Sequence, residues 1–148
     1  VFYIVGSQIT EAVQSLASRD VVAVGYVPDL MPYLDGCRVF VAPLRYGAGI
    51  TGKIAQSMGV GWPVVTPSIG AEGMGLIDGE HVLIADSPDA FARAVVRLYA
   101  DDLLWERMSL NALLHIKSNF STAVVQTKLN QIFTTKVNEV CSSNVEVG

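Results

Sequence analysis

The sequence predicts an α/β fold, a Rossmann-like parallel sheet with helices on both faces and further helices at the C-terminus. Three observations predict it. Short apolar runs alternate with segments of helical periodicity along the chain. The apolar runs are continuous rather than in-out, as in strands covered on both faces. The turns behind them, 6–8, 25–29, 43–51 and 67–75, are the richest in glycine and polar residues. Ligands on such sheets bind at the carboxyl ends of the strands.

The elements follow in order. Val1-Phe2-Tyr3-Ile4-Val5 reads as a buried strand with a turn at Gly6-Ser7. Thr10 caps a helix with Val13, Leu16 and Ala17 on one face. Val21-Val22-Ala23-Val24 is a second strand, closed by Gly25, and Pro28-Asp29-Leu30 opens a short helix through Leu34. Residues 39–42 form a third strand. A helix over 51–58 follows, ended by Gly59 and Gly61. Pro63-Val64-Val65-Thr66 is a fourth strand, 67–80 a loop, and 81–85 a fifth strand. Ser87-Pro88-Asp89 starts a helix carrying Phe91, Val95, Leu98 and Tyr99. Asp101 or Asp102 starts another, to about Asn119. Ser121 caps a last amphipathic helix with Val124, Val125, Leu129, Ile132 and Phe133. Residues 1–140 are read as one domain and 141–148 as a frayed tail.

Composition bounds the function. With 148 residues, 51% hydrophobic and 16% charged, the chain suits one domain with a real core. A net charge of −4 argues against a general nucleic-acid or membrane-surface binder. No apolar run approaches the roughly 20 residues of a membrane span. The start lacks the basic flank of a signal peptide and falls inside a strand, so the chain reads as a piece of something longer. Cys37 and Cys141 are far apart, with no CxxC and only His81 and His115 beside them. That argues against zinc and for a reduced, cytoplasmic protein.

The stretch from Val41 to Gln56 carries the chemistry. A buried strand gives way to a glycine-rich loop and then to a helix. Gly47, Gly49 and Gly52 leave backbone N–H groups unshielded, and the helix start adds more, with the positive end of its dipole. Lys53 contributes a mobile cation. This is the outline of a phosphate cradle; a plain strand-to-helix turn is the simpler reading. Glu72, between Gly70 and Gly73, suits either sugar hydroxyls or local backbone N–H groups. Arg45 and Tyr46 suit either the lining of a cleft or a solvated arginine and a packed tyrosine. His81, His115, Trp62 and Trp105 read as structural.

Four segments in this order and spacing resemble one family. They are Gly25-Tyr26-Val27-Pro28-Asp29-Leu30, Val39-Phe40-Val41-Ala42-Pro43-Leu44-Arg45-Tyr46-Gly47-Ala48-Gly49, Gly61-Trp62-Pro63-Val64-Val65-Thr66 and Gly70-Ala71-Glu72-Gly73-Met74-Gly75-Leu76. They look like the C-terminal, donor-binding domain of GT-B glycosyltransferases, closest to the retaining family four. The resemblance spans residues 1–121. It implies transfer of a sugar from a nucleotide-diphosphate sugar to an acceptor hydroxyl, with no metal and no cofactor beyond that substrate. It implies that Tyr26 and Val27 contact the nucleobase and Gln56 the ribose. Gly47, Ala48, Gly49, Ile50, Thr51, Lys53 and Glu72 would then face the diphosphate and donor sugar.

The departures shape the expectation. The family signature pairs two glutamates; here Ala48 and Gln56 stand in those places. An amide loses the charge-assisted part of a ribose hydrogen bond, which is roughly half its strength. Gln56 thus favours the alternative of a non-catalytic binding or scaffold domain. A sugar-phosphate epimerase of the same architecture is disfavoured, since no acid or histidine is suitably placed. Val1-Phe2-Tyr3-Ile4-Val5 would match the second strand of the family domain. The first strand and the N-terminal acceptor-binding domain are expected to be missing, and the chain alone to be inactive. Self-association, a second copy filling the strand's place, stays open.

Overall fold

The computed structural model describes residues 1–47 and 49–143, with side chains described as far as residue 134. The chain divides into two compact units, Val1–Arg38 and Val39–Gly148.

The first unit holds β1 (Phe2–Val5), α1 (Glu11–Gln14), β2 (Val21–Gly25) and α2 (Met31–Asp35). β1 and β2 pair in parallel, Phe2 opposite Val21 and Val5 opposite Gly25, with an irregularity between Ile4 and Val5. Thr10 caps α1 as its sequence predicts, accepting from the Val13 N–H. The helix is shorter than its apolar spacing suggests. Ser15 turns its hydroxyl onto the Ala12 carbonyl at 2.8 Å, and Leu16 is left exposed. Asp29 starts α2 by accepting from the Met31 N–H at 2.9 Å. β1 is not the buried strand expected: Phe2 and Tyr3 are both exposed. It has a strand partner along one edge, and α1 buries none of its residues.

The second unit holds β3 (Phe40–Val41), α3 (Gly52–Gly59), β4 (Val64–Thr66), α4 (Ser68–Ala71), β5 (Leu83–Ile84), α5 (Pro88–Ala100), α6 (Asp102–Phe120) and α7 (Thr122–Ser143). Its three strands are parallel in the order β3-β4-β5. One continuous sheet is the sequence expectation. The hydrogen bonding instead gives two, because β1 and β3 are each paired along a single edge.

β4 is the centre of the second sheet and is wholly buried. Its residues alternate between faces, as strand side chains must. Val64 joins a core with Ile54 and Met58 of α3 and Met74. Val65 joins another with Leu98 of α5 and Leu104 and Met108 of α6. Helices therefore cover both faces of this sheet. Two of the expected caps form: Ser87 accepts from the Ala90 N–H and Asp101 from the Leu104 N–H. α6 serves both cores, with Leu104 and Met108 in one and Ala112 in the other.

Residues 67–80 are not all loop. They include α4, and Asp78 forms an isolated bridge with Val82. His81, expected to begin a strand, lies in the turn before a shorter β5. Ser121 caps the last helix through the Val124 N–H at 3.4 Å. Its apolar stripe of Val125, Leu129, Ile132 and Phe133 is exposed. α7 continues through the start of the expected tail, and residues 144–148 lie outside the described residues.

Candidate functional site: two glycine loops before helix α3

The half-buried β3 ends at Val41, and Pro43, lacking an N–H, cannot extend the ladder. The Leu44 N–H instead donates to the Ala42 carbonyl at 2.8 Å, a three-residue turn that sends the chain outward. Arg45, Tyr46 and Gly47 are exposed on that path. Gly49 has φ +77°, in the left-handed region that glycine tolerates. Ala48 lies outside the described residues.

Thr51 precedes α3 in an extended conformation, and no side chain caps the helix. The Ile54 N–H donates to the Thr51 carbonyl at 3.0 Å, and the Gly52 and Lys53 N–H groups lie ahead of it at a helix start without a side-chain cap. Ile54, Ser57 and Met58 bury one face of α3. Lys53 and Gln56, three residues apart, stand exposed on the other.

The second glycine loop comes to meet the first. A Cβ on Gly73, itself at φ +74°, would lie 3.7 Å from Ile50 Cγ1 and 3.8 Å from the Gly49 backbone. Glu72, next to it, is exposed at the C-cap of α4. The fold thus brings Gly49, Ile50 and Gly73 together, with Glu72, Thr51 and Lys53 adjoining in sequence. α4 is tied down by Asp86, whose carboxylate accepts from the Ser68 N–H at 2.8 Å and the Ser68 hydroxyl at 2.7 Å. Those two bonds hold the Asp86 carboxyl below its ordinary pKa.

Behind the second loop stands a contact that sequence reading did not find. The rings of His81 and His115 lie 4.3 Å apart, tilted by 41°. His115 Nε2 is 2.7 Å from the Met74 carbonyl, and His81 Nδ1 is 3.2 Å from the Ile77 N–H. Burial, and then the neighbouring His115, lower the His81 pKa, against a raising influence of Glu80. No local pattern links two histidines on separate elements, so the sequence carried no signal for the pair.

Tyr26 and Val27 belong to the first unit. Tyr26 is exposed, and Val27 helps line an open cavity of about 430 Å³ together with Tyr3, Asp29 and Tyr33. Tyr3 and Tyr33 meet edge to face at 5.8 Å. Among the described residues, no three His, Cys, Asp or Glu side chains gather as a metal site, and no helix is long and apolar enough to cross a membrane.

The fold is that of the C-terminal domain of GT-B glycosyltransferases. It matches the Anabaena protein Alr3699/HepE, solved with UDP and glucose, at TM-score 0.74 and 15% identity, over 89% of this chain and 39% of that one. It also matches the C-terminal domain of a glycosyl transferase group 1 family protein (LpcC) from Francisella tularensis, at TM-score 0.64 and 14% identity, over 74% and 58% of the two chains. At such identities the likeness establishes the fold.

Sequence comparison supplies the family. Residues 1–101 match the model of the glycosyl transferases group 1, and the chain belongs to that family. It is 30% identical over 97 residues to an uncharacterized 44.6 kDa protein of the cps region of Klebsiella pneumoniae, covering 66% of this chain and 25% of that one. It is 27% identical over 123 residues to the capsular polysaccharide biosynthesis glycosyltransferase CapM of Staphylococcus aureus, covering 81% and 32%. The chain thus spans between 25% and 32% of the length of these two relatives.

Proposed function

We propose that residues 1–140 form the donor-binding half of a retaining glycosyltransferase, which moves a sugar from a nucleotide-diphosphate sugar to an acceptor hydroxyl. The observation that carries this reading is the meeting of Gly49 and Ile50 with Gly73 before an α3 that no side chain caps. The solved complex of Alr3699/HepE with UDP and glucose supports the choice of ligand class.

In this reading Gly47, Ala48, Gly49, Ile50 and Thr51 take the diphosphate and donor sugar, and Glu72 takes sugar hydroxyls. Tyr26 and Val27 contact the base, and Gln56 the ribose. The transition state resembles an oxocarbenium ion leaving a diphosphate. The N–H groups at the start of α3 and the Lys53 ammonium stabilise the charge that develops on the leaving group. The acceptor, and the group that receives its proton, belong to a domain outside this chain. The chain alone therefore binds donor without transferring sugar, and it works in the cytoplasm.

Titrating the chain calorimetrically with UDP, GDP and ADP, free and sugar-linked, tests this. One base should bind well below millimolar, and Lys53→Ala should weaken it about tenfold, the loss of one charge-assisted contact. Absence of sub-millimolar binding for all three would sink the donor reading. Gln56 supports a second reading, a binding or scaffold domain without turnover. In the full-length protein, Gln56→Glu should then raise donor affinity; no change would remove Gln56 from the ribose.

A further inference from the structure

Residues 73–77 are gripped at both ends by histidines that the proposed chemistry does not use. At one end His115 Nε2 sits 2.7 Å from the Met74 carbonyl oxygen. A carbonyl only accepts, so this nitrogen carries a proton. At the other end the Ile77 N–H donates to His81 Nδ1 at 3.2 Å. A backbone N–H only donates, so this nitrogen holds a lone pair and His81 is neutral, with its proton on Nε2. The His81 N–H returns a bond to the Ile77 carbonyl at 3.0 Å, closing a reciprocal pair.

The gripped segment has little slack. Gly73 and Gly75 are both at positive φ, and Met74 is buried in the core beside β4. A Cβ on Gly75 would come 3.9 Å from His115 Cε1, so the ring also packs against the backbone it holds. Asn111 of α6 donates to the Glu80 carbonyl at 3.2 Å, steadying the turn that carries His81.

We propose that His81 and His115 are positioning residues for the 72–77 loop. The stacked pair, with His81 neutral, holds Gly73 against Gly49 and Ile50, with Glu72 beside it, and protonation of His81 loosens that hold. A protonated His81 would aim a donor at the Ile77 N–H and set a cation beside His115. The charged groups around it are few. Glu80 Oε1 lies 3.7 Å from His81 Nε2 but is exposed and screened. Asp78 is engaged by the Ile84 N–H at 2.7 Å. On α6, Lys117 is exposed two residues beyond His115, a spacing that does not share its face. A His81 pKa below 6.5 means that the grip is complete above that pH and is lost as pH falls through the folded value.

The test uses this whole chain, with UDP as the ligand probe. Imidazole nitrogen NMR near neutral pH should show His81 protonated at Nε2 and bare at Nδ1. On acidification, hydrogen-exchange protection at Ile77 should fall about fivefold, the loss of one neutral hydrogen bond. His81→Asn keeps an acceptor close to Nδ1 and does not titrate, so its protection should be level across the same pH range. His115→Gln should keep the loop protected where His115→Phe does not. A His81→Asn chain that retains the wild-type pH response, or a His81 protonated at Nδ1 near neutral pH, would overturn the assignment.

The link to ligand rests on the donor-binding reading and is read separately. UDP affinity should fall with acid in the wild type and less so in His81→Asn. Equal acid responses would refute the link. Exchange that follows pH in a chain that binds no nucleotide would uphold the histidine assignment and defeat the donor reading instead.

Discussion

At Gly70 the backbone of α4 presses on the end of β4. An added Cβ would overlap the Thr66 hydroxyl and crowd Ile54 and Leu44, at 3.2 and 3.3 Å. Thr66 is fully buried and donates to the Ala42 carbonyl, so it has nowhere to move. Gly70→Ala should lower stability by roughly 1–3 kcal/mol, the usual range for overpacking. A urea midpoint equal to wild type would contradict this. Gly49 is the opposite case: nothing lies within 4 Å of an added Cβ, but φ is +77°. Gly49→Ala should therefore cost only about 1–2 kcal/mol of backbone strain. The glycines were legible as a loop, but which one is closed by packing and which by φ was not. That depends on Thr66 and Ile54, which come from other elements.

Among elements, α4 and α6 lead to separate expectations. α4 has four residues, too few to stand alone, and its first N–H is met by Asp86 beyond the end of β5. The Asp86 pKa is lowered by its bonds to Ser68. Its contribution is therefore present in full above the unfolded value of 3.8, and lost as pH falls through the lower folded value. Asp86→Asn should remove that part of the acid response, seen as a flatter dependence of melting temperature on pH below about 4. α6 matters through burial. Met108 is wholly enclosed beside Leu98 and Leu104, so Met108→Ala should cost about 2–5 kcal/mol in chemical denaturation. The sequence marked the starts of α5 and α6 correctly, since serine and aspartate caps are local. It overstated α1, because apolar spacing at Leu16 met no packing partner.

On the scale of the whole molecule, the two units differ in how much they bury. Leu34 is the one buried side chain of residues 1–38, whereas the second unit encloses both core clusters. Local opening free energies follow such differences. Amides of β1 and β2 should exchange at least about a hundredfold faster than those of β4. Equal protection, measured by hydrogen-exchange mass spectrometry, would refute that estimate.

By itself the sequence determined the class of fold, the helix caps, the loop-to-helix segment and, through motif order, the family. These are properties of neighbouring residues: hydrophobic period, cap chemistry and glycine placement act over a turn or two. Tertiary structure alone decided that Gly73 lies against Gly49, that Asp86 holds α4, and that His81 and His115 stack behind the second glycine loop. It also decided that β1 stays half exposed and that the strands pair as two sheets. Each of these joins residues from separate elements, and no local pattern encodes a contact that exists only once the elements pack.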